Sequence, residues 1–169
     1  MSVDPSAAAT TATPTSAADQ PPTGQTLQLH RVLRASPEKV YRAFLNPEAL
    51  AKWLPPYGFT CHVDTLTAEV GGRFRMAFTN FSTAHRHAFQ GEYLELQPNR
   101  LIHYTDRFDD PGLPGTLHTR VQLEAVFCGT ELHLTQQGVP MEIPLQACLL
   151  GWQESLAQLA LLVEPAVPD

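Results

Sequence analysis

Apolar and polar positions alternate with a period of two over most of this chain, and two stretches break the rhythm. Leu27, Leu29 and Leu33 alternate in "TLQLHRVLRAS", which predicts a strand opening near Thr26. The first break is "SPEKVYRAF". Ser36 is placed as an N-cap, Pro37 suits the first helical position, and Glu38 meets the positive end of the helix dipole. Val40 and Phe44, four apart, supply the buried stripe. "NPEALAKWL" repeats the device with Asn46, Pro47 and Glu48, and Pro55 and Pro56 forbid any continuation. Two short helices in succession are therefore expected.

The period then returns to two. "FTCHVDTL" reads as a strand, Gly71-Gly72 as a turn, and the next strand puts Phe74, Met76 and Phe78 on one face with Arg73 and Arg75 on the other. Four further strands follow in "HAFQGEYLEL", "RLIHYTDRF", "TLHTRVQLEAVF" and "TELHLTQQG", joined by "QPN", "DDPGLPG" and "CGT". Leu117, Val121, Leu123, Ala125 and Phe127 share a face. A "CGT" turn sets Leu132 and Leu134 opposite Ala125 and Leu123 and puts His133 across from Glu124, on the solvent side with His118 and Arg120. The second break is long. Leu145, Leu149, Trp152, Leu156, Leu159 and Val163 recur at three and four, a helix opened by Pro144.

Strand, two short helices, six strands and one long helix make an α+β chain. A one-faced antiparallel sheet of seven strands can cover its apolar side only by curving round that single helix, a helix-grip arrangement. Composition sets the limits. The first 25 of 169 residues are rich in Ala, Thr, Ser and Pro, with no aromatic residue, and cannot bury enough surface to offset their ordering entropy. A disordered tail over 1–25, a domain over 26–165 and a short tail over 166–169 are expected. The tail has neither basic start nor apolar run, so it is not a signal peptide, and no apolar stretch reaches membrane-spanning length. Net charge is −6 with no basic cluster, which argues against nucleic acid. Cys61, Cys128 and Cys148 form neither a disulfide framework nor a metal pair, which fits a reducing, cytoplasmic setting. An exposed edge at the first or third strand could support a homodimer.

With those residues in hand, the sequence resembles the SRPBCC (START-like, Bet v-like) superfamily. Within it the chain is similar to the branch named for the activator of the heat-shock ATPase chaperone. "RVLRASPEKVYRAFLNPEALAKWLPP", "EVGGRFRM", "FQGEYLELQPNRLIHYTDRFDDPG", "GTELHLTQQGVP" and "GWQESLAQLALLVE" carry the resemblance, in that order. The chain departs from the branch where the run before the last helix is shortened to "VPMEIPLQAC". The resemblance implies a deep cavity between sheet and last helix, and fold alone does not say what fills it.

Candidate wall residues follow from face and phase. Trp53 and Phe59 belong to the region that borders the cavity mouth in this superfamily. Phe74, Met76, Phe78, Phe89, Tyr104, Asp106, Val121 and Leu134 face inward, and Cys148 and Trp152 lie on the last helix with Gly151 between them. Folding the strand of Phe78 back through "TNFSTA" puts His87 near Met76 and His85 near Phe78, both inward. Zinc needs three or four convergent ligands, and only Asp106 is at hand as a third. The pair therefore reads as cavity wall, or as histidines hydrogen-bonded near the sheet edge, and no metal or cofactor is expected. Asp106 either faces the cavity with a raised pKa or sits hydrated at the mouth of the "DRFDDPG" turn.

Three functions remain open. The first is a container for a small apolar or amphipathic molecule, lipid-like or aromatic. The second is a polyketide cyclase-like or hydrolase-like enzyme using His87 with Asp106 or Tyr104 as acid and base. The third, from the branch name alone, is a chaperone-associated interaction module. No nucleophile elbow, phosphate loop or dinucleotide fingerprint is present, which favours the container.

Overall fold

A computed structural model describes residues 23–169. The tail expected over 1–25 thus lies outside the described residues except at its end, where Gln25 opens the first strand. The elements run β1 (Gln25–Leu33), α1 (Pro37–Leu45), α2 (Pro47–Trp53), β2 (Phe59–Leu66), β3 (Arg73–Asn80), β4 (Arg86–Gln97), β5 (Leu101–Phe108), β6 (Leu117–Val126), β7 (Gly129–Val139) and α3 (Leu145–Val163). All seven strands join one antiparallel sheet in the order β1-β7-β6-β5-β4-β3-β2. The helix-grip α+β fold is the one the patterning requires. Its edges are β1 and β2; β3 is paired on both sides and offers no free edge, contrary to expectation.

The helix starts follow from their caps. The Ser36 hydroxyl accepts from the Lys39 amide at 3.3 Å, and the Asn46 side chain accepts from Ala49 at 2.9 Å. Asn46 serves twice, since its own amide closes the last turn of α1 on the Arg42 carbonyl. Gln25 fixes the shortened run before α3 by donating its amide to the carbonyls of Pro140 and Ile143.

Irregularities in the ladders at Val63–Thr65 and Tyr93–Glu95 give the sheet bulges, which increase local twist and help it curve. Gly91 in β4 allows a close approach. A Cβ there would lie 1.9 Å from the Thr105 carbonyl oxygen and 2.4 Å from the Phe74 ring. No other residue lets Phe74 lie across the inner face at that point.

Two expected registers shift. β6 and β7 meet through a two-residue turn at Phe127 and Cys128, with Val126 paired to Gly129. Leu132 and Leu134 therefore oppose Leu123 and Val121, His133 opposes Gln122 rather than Glu124, and Phe127 is thrown out to solvent instead of joining the core. The β3–β4 connection takes up more chain than a tight turn. The Asn80 side chain accepts from the amides of Ser82 and Thr83, and Ala84 adopts a positive φ of 58°. Met76 consequently pairs with Phe89, and Phe78 with His87.

The core is unevenly distributed along α3. Ser155, Leu156, Leu159, Ala160 and Val163 are buried, all in its C-terminal half. α3 packs against β1, α1 and α2. It is also tied to the turn after α2. Ser155 donates to the Leu54 carbonyl at 2.6 Å, Glu154 accepts from the Tyr57 amide at 3.0 Å, and Gln158 donates to the carbonyls of Trp53 and Pro55.

Candidate functional site

Beneath the N-terminal half of α3, where no residue is fully buried, lies a cavity of about 290 Å³. Three strands supply its aromatic floor. Phe74, Tyr93 and Tyr104 contact one another with ring centroids 5.4 to 6.2 Å apart. Phe78 meets Phe89 edge-on at 5.0 Å, and Phe89 continues to Phe108 at 6.3 Å. Met76 fills the space on β3, and α3 forms the roof with Ala147, Cys148, Gly151, Trp152 and Ser155. Phe44, Leu50 and Leu54 close the end under the short helices.

One row of polar side chains crosses this surface. Tyr104, Thr119 and Gln136 are successive cross-strand partners on β5, β6 and β7. Gln136 donates its amide to the Thr119 hydroxyl at 3.0 Å. Its carbonyl oxygen accepts from the Trp152 indole at 3.0 Å and faces the Cys148 thiol at 3.5 Å. The row thereby fixes the roof to the floor.

Asp106 stands two residues along β5 from Tyr104. Asp106 is half-buried and lines the cavity, and its Oδ1 is enclosed by protein with no hydrogen-bond partner. Desolvation pushes its pKa up to about 7. The Cys148 thiol, which lines the same cavity, is raised to about 11 by its own burial and secondarily by the Asp106 charge. Tyr104 is held well above the ordinary phenol range by burial first and Asp106 second, with the neighbouring Thr119 hydroxyl pulling the other way.

Of the residues singled out from sequence, Phe74, Met76, Phe78, Phe89, Tyr104, Asp106, Cys148 and Trp152 line this cavity. Trp53, Phe59, His87, Val121 and Leu134 do not. Trp53 is fully buried against Phe44, with its indole donating to the Ala43 carbonyl at 2.9 Å. Val121 and Leu134 pair across β6 and β7 in the packed core, at the end of the sheet that α1 covers. Phe59 and His87 face each other at 6.3 Å beyond the cavity, half-buried. His85 lies in the β3–β4 connection and is exposed rather than inward. The pairing of His87 with Asp106 is therefore not assembled. Asp106 opposes Gly91, and His87 is four residues further along β4, about 13 Å at the rise of a strand.

Gln136 escaped the sequence reading, although it continues the inward phase of Leu132 and Leu134 on β7. A polar residue that continues an apolar alternation was the available signal. Tyr93 likewise sits on the inner face of β4, and the bulge beyond it obscured its phase.

The group of described residues placed to hold a cation is elsewhere. His30, Glu131 and His133 bring their donor atoms within 4.8 Å of one another on the outer face of β1 and β7. There the His30 ring already hydrogen-bonds Glu131 at 2.6 Å.

The comparisons with known proteins agree with this geometry. Residues 34–164 match the family model described as "Activator of Hsp90 ATPase homolog 1-like protein". The chain belongs to that family. A solved structure from Chromobacterium violaceum is 57% identical, with a TM-score of 0.83, covering 83% of this chain and 98% of that one. A second, from Rhodobacter sphaeroides, is 21% identical with a TM-score of 0.73, covering 85% and 95%. A third, from Arthrobacter aurescens, is 18% identical with a TM-score of 0.74, covering 83% and 87%; these last two show the fold alone. No curated protein matches the chain. The family places the chain in the SRPBCC superfamily, and no helix among the described residues is long and apolar enough to cross a membrane.

Proposed function

We propose that this member of the family binds a small, largely apolar molecule, lipid-like or aromatic, in the cavity under α3. The observation that carries the reading is the aromatic wall around about 290 Å³ of space that the core leaves unfilled. Packed interiors rarely keep voids larger than a water molecule, because their lining forfeits dispersion contacts. A cavity of ~150 Å³ admits benzene, so this one has room for a two-ring body. Support also comes from α3, whose buried residues all lie in its C-terminal half while its N-terminal half only borders the cavity.

The acid–base reading loses its histidine, since His87 lies outside the cavity. Asp106 and Tyr104 remain inside with the Cys148 thiol, which burial keeps protonated through neutral pH. The family name carries a chaperone-associated reading, and the three free cysteines accord with a cytoplasmic location.

Native mass spectrometry of freshly purified protein, followed by denaturing extraction, tests the proposal. A co-purified organic molecule, or binding in a thermal-shift screen of fatty acids and aromatic compounds, is the expected result. Protein that is empty and unshifted across the screen would overturn it and favour a chaperone partner.

A further inference from the structure

Among the described residues, the wall holds one fully enclosed polar atom with nothing to bind. Gln136 is engaged on both its oxygen and its nitrogen, the Trp152 indole is engaged with Gln136, and Ser155 donates to backbone. The Asp106 Oδ1 is the buried side-chain atom among the described residues left without a partner. Its cross-strand neighbours are Gly91 on β4 and Leu117 on β6, which offer no side-chain donor. Among the described residues, no lysine, arginine or histidine lines the cavity. A buried carboxylate oxygen with no hydrogen bond and no counter-charge is costly, and such a group in a native structure calls for an explanation.

From this arrangement we infer that the cavity selects a protonated amine carried on an apolar, two-ring-sized body, with the ammonium seated on Asp106 and the body against Phe74, Phe78 and Phe89. The inference rests on the cavity being a ligand site. An ammonium supplies both the missing hydrogen-bond donor and the missing positive charge, and in an apolar enclosure each is worth more than in water. An alcohol supplies only the donor. A hydrocarbon supplies neither, and a carboxylate ligand would set like charge against like.

The titratable groups facing Asp106 are Tyr104 on its own strand, Tyr93 on β4 and Cys148 on α3. Burial raises all three, so each stays protonated through neutral pH. Asp106 alone then changes charge in that range. Amine binding requires it ionised, so affinity should climb with pH up to about 7 and level off above.

The test is isothermal titration of the wild-type protein and Asp106→Asn with four matched probes: 2-(2-naphthyl)ethylamine, 2-(2-naphthyl)ethanol, 2-ethylnaphthalene and 2-naphthylacetic acid. Expected is a preference for the amine over the hydrocarbon of about tenfold or more, equivalent to one good charge-assisted contact. That preference should fall away below pH 6 and vanish in Asp106→Asn. Equal binding of amine and hydrocarbon by the wild type would overturn the amine assignment while leaving the container intact. Tighter binding of the acid would do the same, by showing Asp106 acting as a neutral donor. Failure of all four probes to bind would overturn both readings.

Discussion

Asp106 has a carboxyl whose surroundings oppose its usual charge state, and stability should register this. In the folded chain the group keeps its proton up to about pH 7, against an ordinary value of 3.8 for a free side chain. Between those two values the folded state holds a proton that the unfolded state has lost. Stability therefore falls as pH rises through that window, the reverse of the usual salt-bridged aspartate, and the deficit is complete above it. The gap between the two values corresponds to about 4 kcal/mol. Asp106→Asn should match the wild type near pH 4 in urea denaturation and exceed it at pH 8 by up to that amount. A difference independent of pH would mean that Asp106 is hydrated. Sequence placed Asp106 correctly on the inward phase of β5, but it left two environments open. Burial of a carboxyl depends on what covers it, and the cover comes from α3, some forty residues away.

At the level of the element, α3 is two helices in one. Its C-terminal half is core, and its N-terminal half roofs empty space. Gly151 belongs to the roof, and a Cβ placed there would meet only the Pro56 Cβ, at an unstrained 3.9 Å. Gly151→Ala should therefore stabilise the protein by about 1 kcal/mol through helix propensity alone. Its midpoint in denaturant would rise while ligand binding persists. Gly151→Phe should leave the fold intact and abolish binding, because the added ring has the cavity to enter. Unimpaired binding in that variant would place the ligand elsewhere. The periodicity of Leu145 to Val163 predicted the helix and its Pro144 start, yet it could not distinguish a half that packs from a half that spans a void. Both halves carry the same apolar spacing.

For the whole molecule, the container reading has a thermodynamic signature. A ligand at a hundred times its Kd adds about 2.7 kcal/mol to stability, which for a domain of this size raises Tm by roughly 5–10 °C. The gain should be local as well as global. Hydrogen exchange should slow in the N-terminal half of α3 and in the turn holding Pro55 and Pro56, while the amides of β6 and β7 stay unchanged. Uniform slowing across the sheet would speak against the cavity under α3 as the binding site.

Element order, helix caps and the inner and outer faces of most strands were written in the sequence. These are local properties, set by periods of two and 3.6, by cap and turn residues, and by the refusal of Pro55 and Pro56 to continue a helix. The sequence also placed Phe74, Met76 and Phe78 on one face, because residues two apart on a strand share a side. Tertiary structure alone decided the rest. The Asn80 turn moved His87 two residues along the β3–β4 ladder, from Met76 to Phe78, and set His85 in solvent, and the two-residue turn at Phe127 ejected that ring, since a hairpin's register depends on how many residues its turn consumes. Trp53, Val121 and Leu134 became core instead of wall because α1 and the end of the sheet close over them. Gln136 became the link between floor and roof because β7 lies opposite Trp152. A cavity is a mismatch between elements that are each well formed, so no single element's sequence contains it.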